Sequence, residues 1–355
     1  MKTSFVSNMT MQSTLLRTIA EAQTELMQKQ KETVTGRHAD VGAVLGAKTA
    51  RTLNLHRDLQ RLESLLSTNS LTTQRLSASQ LALKDISESA KQVQETLITF
   101  AGTETQTQLD QTKASFAGAL TLFTNAANTS FSGEYLFSGI NTDVMPMNNY
   151  LATGSAAKAT FDGMFALHFG FPQSDTAQVA NITAADMDAF IGVVEASYMG
   201  APPPGSWNTD WSNASSQNMT SRISTSEVVQ SSTNANTDGM RKFALGAVIG
   251  YELLNLNLSA AVRKTVGDKS LEYIGSAITG IDSERTTLGV SEARVKQANI
   301  SLEAQTKIMT TSINNLEKVD TNETATRITT LENQLSLAYT LTGRLQNMSL
   351  VNYLR

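Results

Sequence analysis

The chain has 355 residues, a formal net charge of −4, 40% apolar and 6% aromatic residues, and no cysteine. Disulfides and Cys-ligated metals are therefore excluded, no apolar run reaches the about 18 residues a membrane-spanning helix requires, and no end is basic enough to be a nucleic-acid arm. So few aromatic residues suit slender helical packing, in which Leu, Ile, Ala and Met fill a narrow seam, better than the core of a large enzyme.

The chain opens on Met1-Lys2-Thr3-Ser4, which has neither the apolar stretch nor the small-residue cleavage site of a secretory signal peptide. Leu15, Ile19, Ala22 and Leu26 then recur at helical spacing. A break is expected from Thr35-Gly36-Arg37 through Gly42 and Gly46. Beyond it, Leu55, Leu62, Asn69, Leu76, Leu83, Ala90 and Leu97 stand seven residues apart, joined late by Ile86, Val93 and Phe100. The pairs Leu83/Ile86, Ala90/Val93 and Leu97/Phe100 are the two apolar positions of a heptad, which predicts a long helix packed along a seam.

All five prolines lie between Pro146 and Pro204, with Trp207 and Trp211 just after them. Proline costs about 3 kcal/mol inside a helix, so both proline-free ends can run long helices. Charge changes in the same region: 101–240 has three Lys or Arg against twelve Asp or Glu, whereas the flanks are mildly basic. Residues 141–239 thus read as a separate, solvated insertion. Phe161, Phe165, Leu167, Phe169 and Phe171 share one parity, with Asp162, Met164, His168 and Gly170 on the other, which predicts a strand or hairpin. Thr183-Ala184-Ala185-Asp186 resembles a capping box opening a helix with Met187, Phe190, Ile191 and Val194 on one face, ended by Pro202-Pro203-Pro204-Gly205. The Asn/Ser/Thr-rich 205–239 is expected to be loop with some short strand.

The last arm begins with an apolar stretch, Phe243–Leu258, read as a buried helix. Ile274, Ile281, Leu288, Val295, Leu302, Met309 and Leu316 follow as an unbroken seven-residue row, with weak companions at Glu284, Ser291, Ala298 and Gln305. One apolar and one polar stripe make a helix that is stable mainly when several others share the contact. After a second break near Val319-Asp320-Thr321-Asn322, the stripe Ile328, Leu331, Leu335, Ala338, Leu345 closes the chain. Each arm is an outer helix, a joint and a long inner helix. The expected fold is mainly α: a long antiparallel helical bundle or coiled coil built from both termini, with a small α+β domain inserted in the middle. The expected domains are 1–42 with 320–355, 43–140 with 240–319, and 141–239.

A search for chemistry returns little. There is no glycine-rich phosphate loop, His-x-x-x-His pair or nucleophile elbow. His38, His56 and His168 are far apart and read as surface or packing residues, and Asp186 with Asp188 as helix-start charges rather than a catalytic dyad. The triplets at Asn8, Asn213 and Asn299 that match a glycosylation acceptor are what a Ser/Thr-rich chain contains by chance. No enzyme activity and no cofactor are expected. The outer helices leave two alternatives open. Their stripes pack on each other, or they stay unpaired until neighbouring subunits complete a coiled coil.

Four segments together resemble the hook-associated protein 3 (FlgL) family, flagellin-like hook–filament junction proteins. Gly133-Glu134-Tyr135-Leu136-Phe137-Ser138-Gly139-Ile140-Asn141-Thr142 matches its G-x-Y-x-F-x-G-x-x-T segment, placed where the first long helix ends and the central domain begins. Lys2-Thr3-Ser4-Phe5-Val6-Ser7 is similar to the family's opening, Arg285-Thr286-Thr287-Leu288-Gly289 to its R-x-x-L-G, and Met348-Ser349-Leu350 through Leu354 to its tail. One departure is that Gly36-Arg37 is followed by His38-Ala39-Asp40-Val41, with one Asp and no Pro where the family often has S-x-D-D-P; this leaves the first joint's geometry open. The resemblance implies a secreted, extracellular structural protein of the bacterial flagellum, exported unfolded through the type III apparatus. It would form a ring of copies at the hook–filament junction, between hook-associated protein 1 and flagellin, with a cytoplasmic export chaperone holding its termini beforehand. Neither nucleic acid nor membrane is an expected partner. On this reading the polymerisation surface comprises Leu15, Ile19, Leu26, Ile328, Leu335, Leu345, Leu350 and Leu354. Two other readings compete: a flagellin that forms the filament itself, which shares the arms and the export route, and a coiled-coil surface adhesin or effector that needs no partner through its termini.

Overall fold

The computed structural model describes residues 8–100, 104–200 and 206–347, with side-chain environments from Thr10 to Arg344. It divides into two compact units, one made of residues up to 64 and from 303 on, the other of 65–302. Ten α-helices occur in the described residues: α1 (Asn8–Thr35), α2 (Val41–Leu45), α3 (Thr49–Ile98), α4 (Gln106–Ala127), α5 (Ala156–Phe169), α6 (Thr176–Val179), α7 (Ala184–Met199), α8 (Asp238–Leu253), α9 (Ala260–Glu317) and α10 (Thr321–Asn347). Four short strands pair as two antiparallel hairpins, β1 (Ser130–Phe131) with β2 (Glu134–Tyr135) and β3 (Thr220–Arg222) with β4 (Val228–Gln230).

In the first unit α1 packs on α10. Gln23 donates to the Tyr339 hydroxyl at 2.6 Å and Arg327 grips Glu25 at 2.7 and 3.0 Å, which sets the two helices antiparallel. Ile19, Leu331 and Leu335 fill the seam. Both expected breaks occur. Helix α1 stops at Gly36, whose φ of +69° is left-handed and favours glycine. Asp40 then caps α2 by accepting from the Ala43 N–H at 2.9 Å. Asp320 does the same for α10, accepting from Asn322 and Glu323.

In the second unit α3 and α9 run antiparallel, linked by Asn69–Asn299, Gln80–Glu292 and Ser87–Asp282. The heptad rows face inward: Leu76, Leu83, Ile86, Ala90, Val93 and Leu97 from α3, and Ile274, Ile281, Leu288 and Val295 from α9, are buried. Helices α4 and α8 pack on each other, with Phe123 stacked on Phe243 at 4.8 Å. Helix α4 opens with a complete capping box of Thr105 and Gln108. It stands between the first long helix and the 133–142 segment, a helix the reading of the first arm did not separate.

Three expectations for the middle and its edge change. Phe161–Phe171 is not a strand or hairpin. Most of it is α5, capped by Ser155 and stopped by left-handed Gly170. Phe161, Phe165 and Phe169 stand four apart and so line one helical face, whereas Leu167, of the same parity, is 88% exposed. The helix expected over Phe243–Leu258 ends at Leu253. Helix α7 ends at Met199 with Gly200 as its cap, before the Pro202–Pro204 stretch, which lies outside the described residues. Its opening matches the sequence reading: the Thr183 hydroxyl accepts from the Asp186 N–H, and Met187, Phe190, Ile191 and Val194 are buried.

Candidate assembly surfaces

A cleft of about 540 Å³ in the first unit is lined by charged side chains, Glu25, Lys29, Glu32, Asp320, Glu323 and Arg327 among them, and among the described residues no three His, Cys, Asp or Glu side chains cluster as a metal site would need. The candidate surfaces are apolar and structural, and each unit holds one.

In the first unit, the α1–α10 pair covers one stripe and leaves another. Ile19 and Leu335 are buried, while Leu15, Leu26 and Ile328 are half-buried. A groove of about 380 Å³ remains between the helices, lined mainly by Leu15, Ile19, Ala22, Leu335, Ala338 and Leu341. Of the leucines in its lining, Leu337 is 64% and Leu341 47% exposed, and Leu16, next to Leu15 in the chain, is 54% exposed. The sequence stripe missed Leu16, Leu337 and Leu341; the i, i+4 spacing of Leu337 and Leu341 was the available signal. Leu350 and Leu354, and the side chain of Leu345, lie outside the described residues.

The joint at the far end of this unit is built on two buried carboxylates. Glu32 accepts from Lys29 Nζ at 2.7 Å and from the Ala39 N–H at 3.0 Å. Burial alone would raise its pKa, but these hydrogen bonds and the charge of Lys29 outweigh it, so the carboxyl lies below its ordinary value. Glu317 accepts from Arg37 at 3.2 Å and pairs with His56 Nε2 at 2.7 Å. The backbone closes the same contact: His38 N–H donates to the Glu317 carbonyl and Val319 N–H to the Gly36 carbonyl. Two of the three histidines thus have structural partners. The third, His168, is exposed with its ring edge-on to Phe169.

In the second unit, the 133–142 segment is a clasp. Ser132 and Gly133 both have positive φ, +53° and +85°, as a two-residue type I′ hairpin loop requires. Arg75 from α3 pairs with Glu134 and donates to the Tyr135 carbonyl at 3.2 Å. Phe137 is fully buried, and its carbonyl accepts from the Ala235 N–H. Gly139, with φ +63°, lies so close to the 215–217 backbone that a Cβ would sit 2.3 Å from the Ser215 carbonyl oxygen. The Gly, Phe and Gly of the motif therefore have geometric reasons, and Tyr135 serves through its backbone and half-buried ring.

Beside the clasp, Tyr150 stacks on Trp211 at 5.1 Å and Trp211 on Trp207 at 5.5 Å. Buried Glu252 accepts from the Tyr150 hydroxyl at 2.9 Å and from Lys158 at 3.0 Å. Burial first, then the neighbouring Tyr198 and Glu252, push the Tyr150 pKa up, so the phenol stays protonated as donor.

Two family models match the chain: the bacterial flagellin N-terminal helical region over residues 6–142 and the bacterial flagellin C-terminal helical region over 271–354. Among solved structures, one from Vibrio parahaemolyticus that bears the provisional name of a flagellar hook-associated protein is similar in fold. It is 12% identical, with a TM-score of 0.52 over 76% of this chain and 97% of its own. A search of curated protein sequences gave no match.

Proposed function

We propose, from the premise that this chain belongs to the flagellin-like family and is a structural, non-enzymatic component of the bacterial flagellum, that it joins the hook to the filament as a ring of copies held through the terminal helices. The observation that carries the assembly role is the incomplete α1–α10 pair: an apolar groove whose lining includes exposed Leu337 and Leu341. Apolar surface in that position gains roughly 25 cal/mol per Å² when a neighbour covers it, less the cost of ordering. The junction role rests on the 133–142 segment and on the resemblance of 348–354 to the junction family's tail.

On this proposal Leu15, Ile19, Leu26, Ile328, Leu335, Leu345, Leu350 and Leu354 contribute to subunit contacts. The terminal segments 1–42 and 320–355 polymerise, 43–140 with 240–319 form the rod, and 141–239 faces outward. Hook-associated protein 1 lies on one side and flagellin on the other. Export follows the flagellar type III route with a chaperone on the termini, and the site of action is extracellular.

A flagellin forming the filament itself is the second reading, favoured by the two family matches. Gene deletion separates the two. Loss of a junction protein leaves hooks without filaments while flagellin is shed into the medium. Loss of a flagellin leaves hooks with complete junctions and no shed flagellin, and that result would overturn the proposal.

A further inference from the structure

The α3 row is apolar at every heptad step in the second unit except one. Asn69 occupies a core position and is completely buried. Its amide nitrogen donates in two directions: to Asn299 Oδ1 on α9 at 2.7 Å, and to the Ile223 carbonyl just beyond β3 at 2.9 Å. Its own Oδ1 is buried and accepts no hydrogen bond. Such an acceptor lowers stability, so the position is not one that stability alone would fill with Asn.

A seven-residue row has a specific weakness that such a residue answers. Sliding α3 past α9 by one heptad puts apolar residues opposite apolar residues again, so the stripe alone does not define one alignment. Of the other links, Gln80–Glu292 joins half-buried side chains that re-form cheaply with water, and the buried Ser87 hydroxyl that meets Asp282 is small enough to turn to a carbonyl of its own helix instead. The Asn69 amide, fully buried and donating to two acceptors on other elements, has no such local substitute. A slip in one direction sets half-buried Asn299 against Leu76, and in the other moves Asn69 toward Glu292; either slip takes the fully buried Asn69 amide away from both Asn299 Oδ1 and the Ile223 carbonyl at once. The Ile223 contact extends the constraint to the β3–β4 hairpin, which a second pair, Arg294–Glu227 at 2.8 Å, also holds to α9.

We infer that Asn69, Asn299 and the Ile223 carbonyl form a polar latch that fixes the register of α3 against α9 and seats the β3–β4 hairpin on that register, at a cost in stability. The latch lies wholly within 65–302 and is independent of the junction role proposed above.

The absence of native cysteine lets introduced thiols report register directly. A Cβ at Gly289 lies 3.5 Å from Gln80 Nε2, so Gln80→Cys with Gly289→Cys carries spin labels across the native alignment. In the otherwise unchanged full chain this pair should give one narrow distance. Adding Asn69→Leu should leave the urea midpoint equal or higher, and split or broaden the distance distribution by a displacement of about one heptad, near 10 Å along the helix. Asn299→Leu should do the same and serves if the first variant does not fold. A single unchanged distance in the folded variants overturns the latch, as does a lowered midpoint with unchanged distance or failure of both variants to fold, since the pair would then be a stabilising contact.

Discussion

Gly239 and Gly280 meet backbone to backbone where the start of α8 crosses α9: a Cβ on Gly280 would lie 2.7 Å from the Gly239 Cα, and one on Gly239 2.7 Å from the Ile281 nitrogen. Neither neighbour is a flexible side chain that could swing away, so relief requires the helices to part. Gly280→Ala is expected to destabilise the protein by about 3 kcal/mol, the upper end for overpacking, despite alanine's better helix propensity. A urea titration followed by circular dichroism measures this. An unchanged midpoint would mean the helices separate freely.

The two motif glycines should respond differently to the same change. Gly133 has left-handed φ but open space around a Cβ, so Gly133→Ala carries only the conformational penalty, about 1 kcal/mol. Gly139→Ala adds the collision with the Ser215 and Gln217 carbonyls and should cost about 3 kcal/mol or more. Equal losses would show that the clasp has no tight seat at residue 139.

The joint should be acid-labile. Glu32 has a folded pKa below its ordinary 4.5. A carboxyl depressed by folding stabilises above its unfolded value, and that contribution is lost as pH falls through the folded value. Protection of the Ala39 amide, which donates to Glu32, should therefore hold from neutral pH down to about 4.5 and fall below it. Glu32→Gln should remove the step. Protection that stays flat to pH 3 in the wild-type chain would rule out this role for the carboxylate.

Leu335→Asp places a charge at a nearly buried position of the α1–α10 seam. It should cost that pair about 3 kcal/mol while leaving the 65–302 unit helical, and it should not restore filaments in a deletion strain. Hydrogen exchange would locate the loss in α1 and α10. Restored motility would separate the C-terminal stripe from polymerisation.

Glu252 is nearly buried and accepts from Tyr150 and Lys158. Tyr150→Phe removes one hydrogen bond without changing shape and should cost about 1 kcal/mol. Lys158→Met should cost about 2 kcal/mol by leaving the carboxylate poorly compensated, discounted because the lysine is part-exposed. Calorimetry of the two variants should preserve that order; a reversal would mean that the Tyr150 hydroxyl, not Lys158, is the main compensation for the Glu252 carboxylate.

The long helices and their breaks are legible in the amino-acid pattern alone. Excluded proline, two seven-residue rows and the Gly36 and Asp320 joints act through local rules of backbone and capping, which hold wherever the segment sits. That pattern also points to the 133–142 segment, though not to why its glycines are needed. The Phe161–Phe171 stretch was ambiguous for a countable reason: residues four apart satisfy both a two-residue and a 3.6-residue period, and only the exposure of Leu167 separated them. Which distant backbones touch is visible only in the folded chain. That Gly139 seats against Ser215, that Gly239 meets Gly280, and that Asn69 finds Asn299 and the Ile223 carbonyl follows from long-range packing, because a residue's partner across the fold leaves no periodic trace in its own neighbourhood.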